Sequence, residues 1–188
     1  MTDWAELSWL NEPEWHSENG ELHVRTGDQT DFWQHTHYAF THDNGHLLYT
    51  PPQLEFTAQV RVRGAYQALY DQAGLMLRSD AGHWIKAGVE YVGTEQQLSA
   101  VVTREFSDWS VRPVGQPDFF DLKMTRRRDA VSVQARLPGQ DWALLRLAYF
   151  PPELPAGVGV YACSPQRAGF EVTFSEFHVG PVEEGALY

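Results

Sequence analysis

Residues 70 to 91, YDQAGLMLRSDAGHWIKAGVEY, bring a carboxamide (Gln72), a guanidinium (Arg78), an indole (Trp84), an ammonium (Lys86) and a carboxylate (Glu90) into one short stretch. Such a set can hold a polar ligand by ion pairing, hydrogen bonding and ring contact at once. The apolar pattern registers the stretch as a hairpin. Ala73, Leu75 and Leu77 form the apolar set of its first arm, and Ile85, Ala87, Val89 and Tyr91 that of its second. Opposed residues of an antiparallel pair share a face. A loop over residues 79–83 therefore pairs Leu77 with Ile85, Leu75 with Ala87 and Ala73 with Val89, whereas a loop one residue shorter would mix the faces. The other face then reads Arg78 beside Trp84, Met76 beside Lys86, Gly74 beside Gly88 and Gln72 beside Glu90. Facing glycines cost a strand about 0.5 to 1 kcal/mol each relative to alanine. Here they predict a trough between Lys86 and Glu90 that could admit a ligand. The same residues also read as a solvated charge pair, with glycines that accommodate curvature or an overlying loop.

Other constellations are weaker. His35, His37, His42 and His46 fall within one span, and the first two have the spacing that shares a strand face and serves two-histidine metal sites. A metal site of that kind also needs a nearby carboxylate and a distant third histidine, and HTHYAFTHDNGH offers Asp43 but no glutamate. The expectation is hydrogen bonding within a loop-rich edge, with no metal and no cofactor. Glycoside hydrolysis needs two carboxylates flanking the scissile bond, which Glu90 with Asp108 or Asp71 could supply in principle. SDWS lacks the glycines of a nucleophile elbow, and Cys163 sits in a strand-like segment rather than at a helix N-terminus.

The elements that position these groups are strands. In LEFTAQVRVR, Leu54, Phe56, Ala58, Val60 and Val62 alternate with polar residues, which predicts a half-buried antiparallel strand. Less regular alternation recurs over residues 21–26, 119–125, 130–137, 142–148, 157–163 and 169–179, separated by turn clusters such as Asp43-Asn44-Gly45. Helical signal is confined to residues 3–10 and 64–70, and LSWL within the first reads equally as an edge strand. Pro51-Pro52 and Pro151-Pro152 mark crossings between sheets. Many strands with short turns mean a sandwich or a barrel. With 188 residues, 43% of them hydrophobic, the chain is long enough for one core and short for two, so residues 1–188 read as one domain. The formal charge of -11 disfavours nucleic acid and anionic membranes. Arg126-Arg127-Arg128, followed by Asp129, reads as a solvated hairpin tip. The sole cysteine, Cys163, excludes an internal disulfide. With acids rather than an apolar stretch in MTDWAELSWLNEPEW, a cytoplasmic, soluble protein is expected.

Four segments, DFWQHTHYAFTHDNGHLLY, YDQAGLMLRS, WIKAGVEYV and SAVVTREFSDWS, resemble the motif blocks of the regulation-of-enolase protein family, a domain of unknown function in the concanavalin A-like lectin/glucanase superfamily. The resemblance runs from about Trp9 to Val179. It implies an all-β, concanavalin A-like jelly-roll sandwich of two antiparallel sheets, one concave, in agreement with the alternation. It implies no mechanism, because that fold hosts lectins, glycosidases and inert modules. The E-x-D-x-x-E string of the superfamily's glucanase branch is missing here. Carried over block by block, the resemblance points to Trp33, His37, Gln72, Lys86, Glu90, Asp108 and Trp109 as a ligand-binding cluster. In LSAVVTREF, apolar weighting places Leu98, Ala100 and Val102 inside and would turn Thr103 and Glu105 toward the trough. The reading that results is a module binding a small polar ligand, a saccharide or related metabolite. A glycoside-active enzyme and a protein-interaction module acting on a metabolic enzyme are the alternatives.

Overall fold

The computed structural model describes residues 3–183. Among them a single 3-10 turn, Trp4–Glu6, capped by the Asp3 side chain, precedes sixteen strands. One sheet runs in the spatial order β1 (Ser8–Leu10), β6 (His46–Tyr49), β15 (Gly157–Cys163), β8 (Gln72–Arg78), β9 (His83–Val92), β10 (Glu95–Arg104) and β11 (Phe106–Gly115). The second runs β14 (Ala143–Tyr149), β13 (Ala130–Arg136), β12 (Phe120–Arg127), β7 (Phe56–Gly64), β16 (Glu171–Gly180), β3 (Glu21–Arg25) and β2 (Glu14–Glu18). All the pairings are antiparallel, and a separate two-stranded hairpin joins β4 (Phe32–Gln34) to β5 (Thr41–Asp43). The result is the two-sheet sandwich expected from the alternation. No helix of the described residues is long and apolar enough to cross a membrane.

The alternation explains the core. Phe56, Ala58, Val60 and Val62 of β7 face Leu75, Leu77, Ile85, Ala87, Leu98, Ala100 and Val102 of the first sheet in one buried cluster, as period-2 apolar sets on two inner faces must. Leu54 falls before the strand and is half exposed. The first sheet has a second cluster on its outer face, where Phe32 and Trp33 of β4 cover Leu47, Met76, Trp84, Val101, Tyr161 and Cys163. Central strands β8, β9 and β15 are thereby buried on both faces. That is why their sequences depart from clean apolar and polar alternation.

Register over residues 72–90 is as the apolar pattern predicts, with Leu77 opposite Ile85, Gly74 opposite Gly88 and Gln72 opposite Glu90. The glycines, however, do not open a trough. A Cβ on Gly74 would fall on the Ala87 carbonyl oxygen and one on Gly88 on the Ala73 carbonyl oxygen, both backbone atoms of the neighbouring strand. Gly159 meets the Leu48 carbonyl in the same way. The strands approach too closely for any side chain at these points, so glycine is required by the backbone and not by a ligand.

Two further expectations are corrected. Arg126 is fully buried rather than solvated: it donates to the carbonyls of Gln53, Pro151 and Leu154 at 3.1, 3.0 and 2.7 Å. It thus ties the two proline-marked crossings together. His35 and His37 do not share a strand face, since β4 ends at Gln34 and both residues adopt positive φ, 56° and 65°. The glycine contacts generate a stability test. Gly88→Val is expected to destabilise the fold by at least about 1 to 3 kcal/mol, the usual range for overpacking, measured as a lowered denaturation midpoint, with Gly88→Ala already destabilising.

Candidate functional site

A cavity of about 270 Å³ lies on the outer face of the first sheet, beneath the segment that runs from Asp31 to His42. Its floor is read off the ladder: Gln72 lies opposite Glu90, Lys86 opposite Val101, and Val101 opposite Trp109. Its cover comes from Asp31, Trp33, Tyr38, Phe40 and His42, and a third side from Tyr70, Pro165 and Gln166. The β4–β5 pairing sets Trp33 opposite His42. Between these strands His35, His37 and Ala39 all have positive φ, and the coil closes through Ala39 N–H to His35 C=O at 2.8 Å and His35 N–H to Phe40 C=O at 2.9 Å. Left-handed residues other than glycine cost roughly 1 kcal/mol or more each. The coil they form stacks the Tyr38 and Phe40 rings, centroids 5.3 Å apart, at the mouth of the cavity.

Lys86 is the centre of the polar network. Its ammonium donates to Asp31 Oδ1 at 3.0 Å, to the Phe32 carbonyl at 2.7 Å and to Gln72 Oε1 at 2.7 Å, and the residue is 3% exposed. Gln72 in turn donates to Asp31 Oδ1 and to the Tyr70 carbonyl, each at 3.3 Å. Burial alone would pull the ammonium pKa down, but the charges around it, Asp31 foremost, outweigh burial and hold it above its ordinary value. Glu90 accepts from the Trp109 indole at 3.0 Å. Burial raises its carboxyl above the usual range against the opposing pull of Lys86. The Tyr70 phenol is pushed up to about 12, first by its hydrogen bond with Tyr38 and then by burial. Tyr70 is itself placed by the loop before β8, which Asp71 anchors by accepting from Gln67 N–H, Ala68 N–H and the Arg167 guanidinium at 2.9, 3.0 and 2.6 Å.

Of the residues singled out in the sequence, Trp33, Gln72, Lys86, Glu90 and Trp109 line this cavity. His37 does not, being exposed on the coil with its ring edge-on to Tyr38. Asp108 does not either: it alternates with Trp109, pairs with Val102, and meets Arg146 of β14 at 3.3 Å. Thr103 does face outward, buried and bonded to the Ser107 hydroxyl at 2.8 Å, whereas Glu105 sits in the β10–β11 turn with φ 63°. Lys86 and Glu90 are not a solvated pair, because Asp31, fifty-five residues from Lys86, is the ion-pair partner. Asp31 and Tyr70 each open a motif block and Phe40 lies within the first, so their presence there was the signal; Gln166 lies in no block and carried none.

The chain matches the family described as "Protein of unknown function (DUF1349)" over residues 9–182. It is 44% identical to "Regulation of enolase protein 1" of Saccharomyces cerevisiae over 179 residues, covering 94% of this chain and 90% of that one. A crystal structure of a functionally unknown protein from Saccharomyces cerevisiae superposes with a TM-score of 0.92 at 42% identity, covering 97% of this chain and all of the other. The GH43 protein BlXynB of Bacillus licheniformis shares the fold at a TM-score of 0.67 and 15% identity, over 90% of this chain but 36% of its own.

The network makes two variants informative. Lys86→Met leaves the Asp31 carboxylate without its cation, and loss of one member of a buried pair costs about 3 to 5 kcal/mol, to be read by chemical denaturation. A carboxyl whose folded pKa is raised lends stability fully below its unfolded value, 4.5, and loses it as pH rises through the folded value. Glu90→Gln removes that loss. The variant is therefore expected to melt above the parent at neutral pH, with the gap closing as pH falls below 4.5; a parent more stable at neutral pH would mean an ionised Glu90 held by Lys86.

Proposed function

The chain belongs to the DUF1349 family, whose description carries no activity, and from the site itself we propose that it binds a small polar ligand, a saccharide or related metabolite. One observation carries the reading: a cavity walled by Trp33, Trp109, Tyr38, Tyr70 and Phe40 encloses Asp31, Gln72, Lys86 and Glu90. Apolar walls with a few convergent polar groups are the usual make-up of a small-molecule site. Aromatic faces suit the C–H surface of a sugar ring, and carboxylate and carboxamide oxygens accept its hydroxyls. Catalysis is not part of the reading. Asp31 Oδ1 already accepts from Lys86, Gln72 and its neighbour's Phe32 N–H, which makes it an anchor for the network rather than a base.

A titration against a panel of saccharides and metabolites, followed by intrinsic tryptophan fluorescence and thermal shift, tests this. A member of the panel is expected to give a saturable change. Phe40→Ala, at a half-exposed rim position, should then weaken binding roughly two- to tenfold, the range of one aromatic contact, while Asp108→Ala, outside the cavity, should not. Silence across the panel, or equal losses in both variants, would sink the reading.

A second reading, a protein-interaction module acting on a metabolic enzyme, is favoured by Phe106, 61% exposed at the β10–β11 turn and in contact with the His35 ring at 5.4 Å, together with the name of the yeast relative. Co-elution with purified enolase that is lost in Phe106→Ser would support it.

A further inference from the structure

The hydrogen-bond inventory of the cavity narrows the charge of its ligand, on the premise that the cavity is a ligand site. Lys86 has three ammonium protons, and all three are engaged, by Asp31 Oδ1, the Phe32 carbonyl and Gln72 Oε1. Two arginines on the segments that build the cavity are occupied as well: Arg78 grips Asp43 through two bonds of 2.8 Å, and Arg167, next to Gln166, grips Asp71. Among the described residues, no fixed cation of the cavity wall is left for a phosphate or carboxylate. The two acids are in the opposite condition. The N–H bonds to Asp31 converge on Oδ1 and the one to Glu90 falls on Oε2, so among the described residues Asp31 Oδ2 and Glu90 Oε1 receive no N–H bond.

The walls have a matching character. Trp33 and Trp109 stand at 89° with centroids 6.5 Å apart, Tyr70 and Trp109 at 78° and 6.4 Å, and Trp33 and Tyr38 at 68° and 5.7 Å. Rings perpendicular to one another make a box rather than a flat platform. Aromatic faces around a space that also presents carboxylate oxygens attract an ammonium group, most strongly where water is excluded. The chain's net charge of -11 adds a long-range attraction for cations.

We infer that the ligand carries a compact positive charge, an organic ammonium, with an amino sugar as the member of that class nearest to a saccharide. The bound cation would sit in the aromatic box against Asp31 and Glu90, and it would favour the ionised form of Glu90. The charged groups that act on Glu90 are Lys86, which opposes proton uptake, and Asp31, which favours it, while hydrogen bonds from Ser99 and Trp109 side with Lys86. A cation entering the box reinforces that side.

Calorimetric titration with four probes tests the inference: choline, glucosamine below the pKa of its amine, glucose and glucose 6-phosphate. Choline and glucosamine are expected to bind at least tenfold tighter than glucose, and glucose 6-phosphate most weakly. Glu90→Gln, which removes the charge and keeps an oxygen that can accept a hydroxyl, should reduce the affinity for choline at least tenfold and that for glucose by a smaller factor, and a thermal melt of the variant verifies that it is folded. Glucose or its phosphate binding as tightly as the ammonium probes would overturn the inference while the ligand-binding reading stands. Unchanged choline affinity in Glu90→Gln would do the same. No heat with any of the four overturns it too, and leaves the broader reading to the wider panel.

Discussion

An ammonium with no access to water has to find three acceptors, and around Lys86 these come from two different parts of the chain. Asp31 and the Phe32 carbonyl belong to the covering segment, and Gln72 to the neighbouring strand. An unpaired charge in that position would cost several kcal/mol, so the cover cannot lift away without leaving both Lys86 and Asp31 stranded. This node, together with the Arg78–Asp43 pair and the Gln34 bonds to Ser107 and Ala81, holds the β4–β5 hairpin against the sheet, and the cavity exists because the hairpin is held there. A second apolar cluster, Phe32 and Trp33 over Met76, Trp84 and Tyr161, adds the area term. The direction of approach is set by the polar bonds, since apolar contact alone is non-directional.

Other buried polar groups act in the same way at the margins of the sandwich. Arg126 gathers three carbonyls from the loops on either side of its strand, under the ring of Phe150 at 4.8 Å. Asp71, with no exposed side-chain surface, gathers Arg167 and two backbone amides. The first closes one end of the sheets. The second fixes the loop that carries Tyr70 and brings the segment with Pro165 and Gln166 to the third side of the cavity. In each case the loop is irregular, and its shape is determined by a charge that must be satisfied.

Glu90 stands apart from these. It has the neutral donors Trp109 and Ser99 and a neighbouring cation whose protons are all directed elsewhere, so burial wins and the carboxyl is held above its ordinary range. Perturbed carboxyls in enclosed, aromatic surroundings are more often found where a ligand completes the site than in a purely structural core. The structural groups of this chain, Asp71 and Asp121, are by contrast fully paired with arginines.

The amino-acid sequence by itself determined the two-sheet architecture and the register of the β8–β9 hairpin. Both follow from a pleat of period two, since one slipped residue would move Leu75, Leu77, Ile85 and Ala87 out of the core. It also singled out Lys86, Glu90 and Gln72, to which the family resemblance added Trp33 and Trp109, and these five share the cavity. Only the tertiary structure decided that Asp31 pairs with Lys86, that Asp108 points away to Arg146, that His37 lies on an exposed coil, and that Gly74 and Gly88 serve strand contact. These depend on where the segment after Asp31 lands and how closely two backbones approach. Neither leaves a periodic trace along the chain: the coil of positive φ at His35, His37 and Ala39 breaks the alternation, and a contact over fifty-five residues is fixed by closure in space rather than by local pattern.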